Sequence, residues 1–79
     1  MADSIRVFTL DARRLLCPMP VIRLQNYIRQ EAQVGDEIQL LATDPGVRHD
    51  VPAWCRVHGH ELIVIEEQND FFSLRVIVR

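Results

Sequence analysis

The segment Cys17-Pro18-Met19-Pro20 is the feature that most constrains the fold of this chain. Two prolines separated by one residue suit the first turn of a helix, where a missing backbone N–H breaks no hydrogen bond. The segment therefore predicts a helix start with Cys17 as its N-cap. Because backbone N–H groups without partners and the positive end of the helix dipole favour a thiolate, we expect a depressed pKa for Cys17.

Hydrophobic spacing along the rest of the chain predicts the order β-α-β-α-β-β. The predicted strands cover residues 5–10, 37–43, 61–67 and 71–79, and the predicted helices run from 18 to about 32 and from 50 to 59. This order predicts a two-layer α/β sandwich, in which two helices lie on one face of a mixed four-stranded sheet. We expect residues 1–79 to form a single domain and the protein to be a monomer.

Pro52 decides where the second helix is expected to begin. With Asp50 as the N-cap, Pro52 falls in the first helical turn, where proline is tolerated. Val51, Trp54 and Cys55 then share one face of the helix, which predicts that Cys55 packs in the core.

Size and composition exclude several classes of function. A chain of 79 residues has too little core for a large enclosed substrate cavity, and the absence of lysine excludes Schiff-base chemistry and a P-loop. We find neither the apolar run of a signal peptide nor about 18 consecutive apolar residues that would span a membrane, so a cytoplasmic protein with reduced cysteines is expected. The pI of 5.8 argues against strong direct nucleic-acid binding.

The charges are distributed unevenly along the chain. Residues 1–30 hold five arginines and two aspartates, whereas residues 31–79 hold four arginines and nine acidic residues. Cys17 lies in the basic part, which favours a thiolate. The basic residues form either a docking patch for an acidic partner or an ordinary solvated surface of mixed charge. Arg13, Arg14 and Arg23 are the candidate contacts to such a partner.

Several motifs resemble those of the SirA/TusA-like sulfur-carrier proteins. They cover nearly the whole chain: Leu10-Asp11, Leu16-Cys17-Pro18-Met19-Pro20-Val21, Asp44-Pro45, Asp50-Val51-Pro52, Trp54-Cys55 and Gly59-His60-Glu61-Leu62. The resemblance implies that Cys17 accepts a sulfane sulfur as a persulfide from a cysteine desulfurase or a rhodanese-like donor and passes it to an acceptor protein. It further implies a role in tRNA thiolation or related sulfur traffic, as a carrier without a cofactor or metal rather than a stand-alone enzyme.

One position departs from the family pattern. The family usually has a glycine three residues before the cysteine, where this chain has Arg14. Glycine at a fixed position typically marks a positive φ or a close backbone approach. The substitution leaves the carrier chemistry in place and leaves the branch of the family, and hence the partner, open.

Three alternatives compete with sulfur transfer on Cys17. Cys55, His58 and His60 could bind a metal ion, although C-x-x-H alone is a weak zinc signal. Cys55 could instead resolve an oxidised Cys17 as a disulfide, which its expected core position disfavours. A regulatory module could use the Cys17 surface for protein binding without carrying sulfur. The aspartates at 11, 44 and 50 are interpreted as turn, cap or ion-pair residues rather than as acid–base catalysts.

Overall fold

The computed structural model, which describes residues 6–79, has the predicted order of elements. The strands are β1 (Val7–Ala12), β2 (Glu37–Ala42), β3 (Glu61–Glu67) and β4 (Phe72–Ile77), and the helices are α1 (Met19–Gln30) and α2 (Val47–His58). The sheet order is β1-β2-β4-β3, with β1 parallel to β2 and β4 antiparallel to both of its neighbours. The predicted α/β sandwich is confirmed. Ile5, the first residue of the predicted strand, lies outside the described residues.

The core forms between the sheet and the two helices. Alternation along β2 places Ile38, Leu40 and Ala42 on the buried face, and all three are fully buried. Leu24 of α1 and Val51 of α2 are also fully buried and pack in the same cluster. These contacts fix both helices to one face of the sheet, so that their N-terminal ends have defined positions.

The second helix begins earlier than the sequence predicted. Its N-cap is Gly46, so Asp50 lies in the first turn and Pro52 lies inside the helix. The turn at 44–46 continues directly into helical hydrogen bonding, because the Val47 N–H donates to the Asp44 carbonyl oxygen over 3.1 Å. Placing Asp50 as the N-cap was therefore wrong. The predicted end of the helix at Gly59 is confirmed by its left-handed conformation, with φ of 79°.

Parallel pairing brings two loops together at one end of the sheet. β1 extends two residues beyond its predicted end because Asp11 and Ala12 pair with Leu41 and Ala42. The two strands thus end side by side, and the loops that follow them, 13–18 and 43–46, meet there. The β3–β4 turn at 68–71 lies at the same end, since Phe72 pairs with Ala42. Side chains from three parts of the chain can therefore form one site.

Neither of the two helices in the described part of the chain has the length and hydrophobicity of a membrane-spanning segment.

We expect Leu24→Ala to lower the free energy of unfolding by about 2–5 kcal/mol, because it opens a cavity where α1 packs on the sheet. Leu16→Ala is the matched control, since Leu16 is 75% exposed. Urea denaturation of both variants would check the prediction, and similar midpoints for the two would contradict it.

Candidate functional site

Cys17 lies in the loop between β1 and α1, directly before the helix. The N-cap of α1 is Pro18, not Cys17 as predicted. The Cys17 N–H donates to Asp44 Oδ2 over 2.7 Å, and the Met19 N–H donates to the Leu16 carbonyl oxygen over 2.8 Å. Both N–H groups therefore have partners, whereas the predicted thiolate would need N–H groups without partners at this helix start.

The start of α2 lies against the sulfur atom. A Cβ atom added to Gly46 would lie 3.0 Å from Cys17 Sγ, closer than van der Waals contact allows. Gly46 has an ordinary helical φ of −58°, so glycine is favoured here by the limited space rather than by the backbone conformation. Asp44 holds the two segments together, because its Oδ1 accepts the Gly46 N–H over 3.0 Å while its Oδ2 accepts the Cys17 N–H. Asp44 is thus the turn residue that the sequence predicted, and it also fixes the cysteine loop.

Acidic rather than basic groups surround the thiol. Partial burial, a hydrogen bond to the Asp50 carboxylate and the negative charges of Asp44 and Asp50 raise the pKa of Cys17 to about 12. The predicted depression of this pKa and the predicted basic surroundings were both wrong. The prediction rested on residues close in sequence, whereas the two carboxylates come from the turn after β2 and from α2. The signal that could have revealed them was the pairing of β1 with β2.

Arg14 adopts a conformation that residues other than glycine rarely adopt. Its φ is 71°, in the left-handed region, and its N–H donates to Thr43 Oγ1 over 2.8 Å. This position therefore needs a positive φ, which accounts for the glycine usual there in the resembled family. An arginine at this position carries a strain of about 1–2 kcal/mol.

Arg14 lines an open cleft of about 430 Å³ at the end of the sheet where the loops meet; we call it the arginine cleft. Its lining comprises Asp11, Arg13, Arg14, Thr43, Asp70 and Phe71. Arg13 is tied to Asp11 by two hydrogen bonds of 2.9 and 3.0 Å, and its guanidinium lies 5.5 Å from the centre of the Phe71 ring. This pairing lowers the pKa of Asp11 to about 2.

Arg23, the third candidate partner contact, lies elsewhere. It lines a separate open cleft of about 360 Å³ along α1, together with Leu10, Met19, Ile22, Asn26, Tyr27 and Gln30. Met19 and Ile22 are exposed large hydrophobic residues, as is Leu16. The structure thus brings Arg13 and Arg14 together and leaves Arg23 in a second cleft on the helix.

Cys55 packs in the core, and the two nearby histidines pack against an aromatic ring. Cys55 is 2% exposed, which confirms its predicted core position, and burial raises the pKa of its thiol to about 11. The rings of His58 and His60 lie 4.8 and 5.1 Å from the Trp54 ring, between centroids. Cys17 and Cys55 are both free thiols. Within residues 6–79, no three His, Cys, Asp or Glu side chains are arranged to hold a metal ion.

Comparison with known proteins finds a family that matches nearly the whole chain. The family described as "Sulfurtransferase TusA" matches residues 8–78. The sulfur carrier protein TusA of Pseudomonas entomophila is 43% identical over 68 residues, which are 86% of this chain and 84% of that protein. A putative sulfur carrier protein of Neisseria meningitidis is also 43% identical over 68 residues, 86% of this chain and 90% of that protein.

The fold has a similar solved counterpart. The crystal structure of a SirA-like protein from Desulfitobacterium hafniense superposes with a TM-score of 0.76 at 21% identity, covering 89% of this chain and 95% of that chain. At this level of identity the likeness concerns the fold alone.

We expect Asp50→Asn to speed alkylation of Cys17 at pH 8 about tenfold, because removing a neighbouring negative charge lowers the pKa of the thiol. Iodoacetamide labelling followed by peptide mass spectrometry would measure the rate at Cys17 and, as an internal reference, at Cys55. Glu67→Gln is the matched control for loss of one negative charge. An unchanged rate in Asp50→Asn would show that this carboxylate does not control the thiol.

We expect Arg14→Gly to raise the free energy of unfolding by about 0.5–1 kcal/mol. Glycine relieves the left-handed strain, and this gain exceeds the extra chain entropy that glycine loses on folding. Arg14→Ala keeps the strain and is the control for loss of the side chain. Chemical denaturation of both variants would check this, and a destabilised Arg14→Gly would contradict it.

Proposed function

Because the chain belongs to the TusA sulfurtransferase family, we propose that it is a sulfur carrier that holds sulfane sulfur as a persulfide on Cys17. The observation that carries the proposal is the contrast between its two cysteines. Cys55 is 2% exposed, whereas Cys17 is partly exposed in the loop before α1, with the exposed side chains of Leu16 and Met19 beside it. A thiol that exchanges sulfur with another protein must be reachable by that protein's sulfur, a requirement that favours the partly exposed Cys17 over the buried Cys55.

Loading is a thiol exchange at a donor persulfide. The Cys17 sulfur attacks the outer sulfur of the donor, a new S–S bond forms, and the S–S bond within the donor breaks. The donor sulfur leaves with the bonding electron pair and takes up the proton that the Cys17 thiol has lost. One thiol and one persulfide are present before and after the step, so there is no net oxidation or reduction. Delivery is the same exchange, in which an acceptor thiol attacks the outer sulfur held on Cys17.

Protonation of Cys17 sets a condition on loading. Because the pKa of Cys17 is raised to about 12, the free protein holds a thiol rather than the nucleophilic thiolate. Docking must therefore change the surroundings of the sulfur. A cationic group of the donor placed beside Asp44 and Asp50 would offset their charges and lower this pKa.

The carrier role requires at least two protein partners, one that supplies sulfur and one that receives it. A cysteine desulfurase or a rhodanese-like protein is the proposed donor, and a downstream acceptor protein uses the sulfur for tRNA thiolation or a related pathway. The proposed compartment is the cytoplasm, where reductants keep the second cysteine free.

Intact mass spectrometry tests the proposal directly. After incubation with a cysteine desulfurase and L-cysteine, or with sodium tetrasulfide, we expect an adduct of about 32 Da, the mass of one sulfur atom. Cys17→Ser should lose the adduct, and Cys55→Ala should keep it because Cys55 has only a packing role.

Treatment with dithiothreitol should remove the adduct, since a persulfide is reducible. An adduct that persists in Cys17→Ser would contradict the assignment of the sulfur to Cys17. Absence of any adduct in the wild type with both donors would favour a protein-binding module that carries no sulfur.

A further inference from the structure

Arg14 has a backbone conformation that favours glycine over any residue with a side chain. With φ of 71°, the position would accept glycine at lower conformational cost. Residues that keep a strained backbone conformation cluster at sites of function, where the side chain contributes what the backbone loses. What Arg14 contributes must come from its guanidinium, since its backbone N–H donates to Thr43 Oγ1, a bond that glycine would also make.

The arginine cleft leaves the charge of Arg14 available. Arg13 is neutralised by its two hydrogen bonds to Asp11, whereas Arg14 is exposed and forms no ion pair among residues 6–79. The hydroxyl of Thr43 accepts the Arg14 N–H and still has its own hydrogen to donate. A guanidinium and a hydroxyl donor at one cleft are the groups that bind a carboxylate.

The composition of the cleft favours a protein over a nucleic acid as the occupant. Asp11 and Asp70 line the same cleft as the two arginines, so a polyanion would meet as many negative as positive side chains. A protein surface of mixed charge can place one carboxylate on Arg14 and a cation near Asp70.

The position of Arg14 relative to the thiol indicates which partner makes the contact. Arg14 is three residues before Cys17 in the loop that follows β1, so the two residues lie within about 11 Å of each other and one docked protein can contact both. The raised pKa of Cys17 opposes loading, which removes the thiol proton, and favours delivery, which returns it. The donor is therefore the partner whose docking at this loop the reaction depends on most.

We propose that Arg14, with the Thr43 hydroxyl, anchors a carboxylate on the surface of the sulfur-donor protein while its persulfide reaches Cys17. This inference rests on the proposed carrier function and goes beyond it by naming a specificity-determining residue outside the reacting thiol. Arg14 is a positioning residue, since it touches neither reacting sulfur. The chemistry on Cys17 does not depend on it.

The test compares loading by a protein donor with loading by a small donor. Initial rates of persulfide formation would be measured by intact mass at several carrier concentrations, with a cysteine desulfurase and L-cysteine as the protein donor. Sodium tetrasulfide, which has no docking surface, is the small donor. Arg14→Gly removes the charge and the strain together, Arg14→Lys keeps both, and Arg29→Gln is the control for loss of one arginine elsewhere on the surface.

We expect Arg14→Gly to raise the KM for the carrier about three- to fivefold with kcat unchanged, as for loss of a partly exposed ion pair. The difference should shrink at high salt, and Arg14→Lys should recover most of the affinity. Arg29→Gln should behave as the wild type, and sodium tetrasulfide should load all variants equally. Arg14→Gly should thus bind the donor more weakly while it gains thermal stability. A purely structural role of Arg14 does not predict that combination.

Several outcomes would overturn the proposal. An unchanged KM in Arg14→Gly, or an equal loss in Arg29→Gln, would show that the residue makes no specific contact. Slower loading of Arg14→Gly by sodium tetrasulfide would place its effect on the thiol itself. Retention of the wild type on immobilised tRNA that is lost in Arg14→Gly would make nucleic acid the occupant. Loading of the wild type by tetrasulfide but not by the desulfurase would overturn the docking contact and leave the carrier role intact. Loading by neither donor would overturn the carrier role itself.

Discussion

The Asp44 carboxylate is the interaction on which the site depends. Its two oxygens accept the backbone N–H groups of Cys17 and Gly46, and so join the loop before α1 to the start of α2. These two hydrogen bonds lower the pKa of Asp44, so the carboxylate stays ionised in the folded protein. A carboxyl group whose pKa is lowered by folding contributes stability above its unfolded pKa and loses that contribution as the pH falls. The position of Cys17 is therefore set by a charged group, not only by the two prolines that follow it.

The same carboxylate also contributes to the reactivity of the sulfur. Partial burial and the neighbouring Asp50 and Asp44 carboxylates raise the pKa of Cys17, which keeps the thiol protonated. A thiol reacts slowly with oxidants and with disulfides, since the thiolate is the reactive form. A carrier that moves between partners is thus protected from oxidation and from disulfide exchange while it is free. The aspartates that surround Cys17 carry the negative charges that a docked partner must offset. Structure and reactivity are coupled through one pair of aspartates.

The sequence was sufficient where the physical cause lies within a few neighbouring residues. Hydrophobic spacing predicted β3 at 61–67, with the bounds that the structure has, and it placed the end of α2 at Gly59. Prediction from the sequence failed where the cause is a contact between segments that are distant in sequence. The pKa of Cys17 depends on Asp44 and Asp50, which reach the thiol only because β1 and β2 are parallel and end together.

The start of α2 shows how two local rules can conflict. Tolerance of proline in the first turn favoured a start at Asp50, whereas the turn at 44–46 already supplies the first helical hydrogen bonds. The helix forms from the earlier start, although Pro52 has no N–H to donate to the Arg48 carbonyl oxygen. Packing of Val47 in the core favours the longer helix, and this contact could not be read from the order of residues alone.

Arg14 shows where a small carrier can acquire specificity. Thiol exchange at a persulfide is the same reaction for every donor, so discrimination between donors must come from contacts outside the two sulfur atoms. The thiol is flanked by Asp44, Gly46 and Asp50, which together set its position and its pKa. In the loop at 13–16, Leu15 packs against the core, whereas the side chain of Arg14 is exposed and position 14 needs only a positive φ. A side chain at that position changes the surface presented to a partner and leaves the sulfur undisturbed, so that an arginine there can select a donor at the cost of some stability.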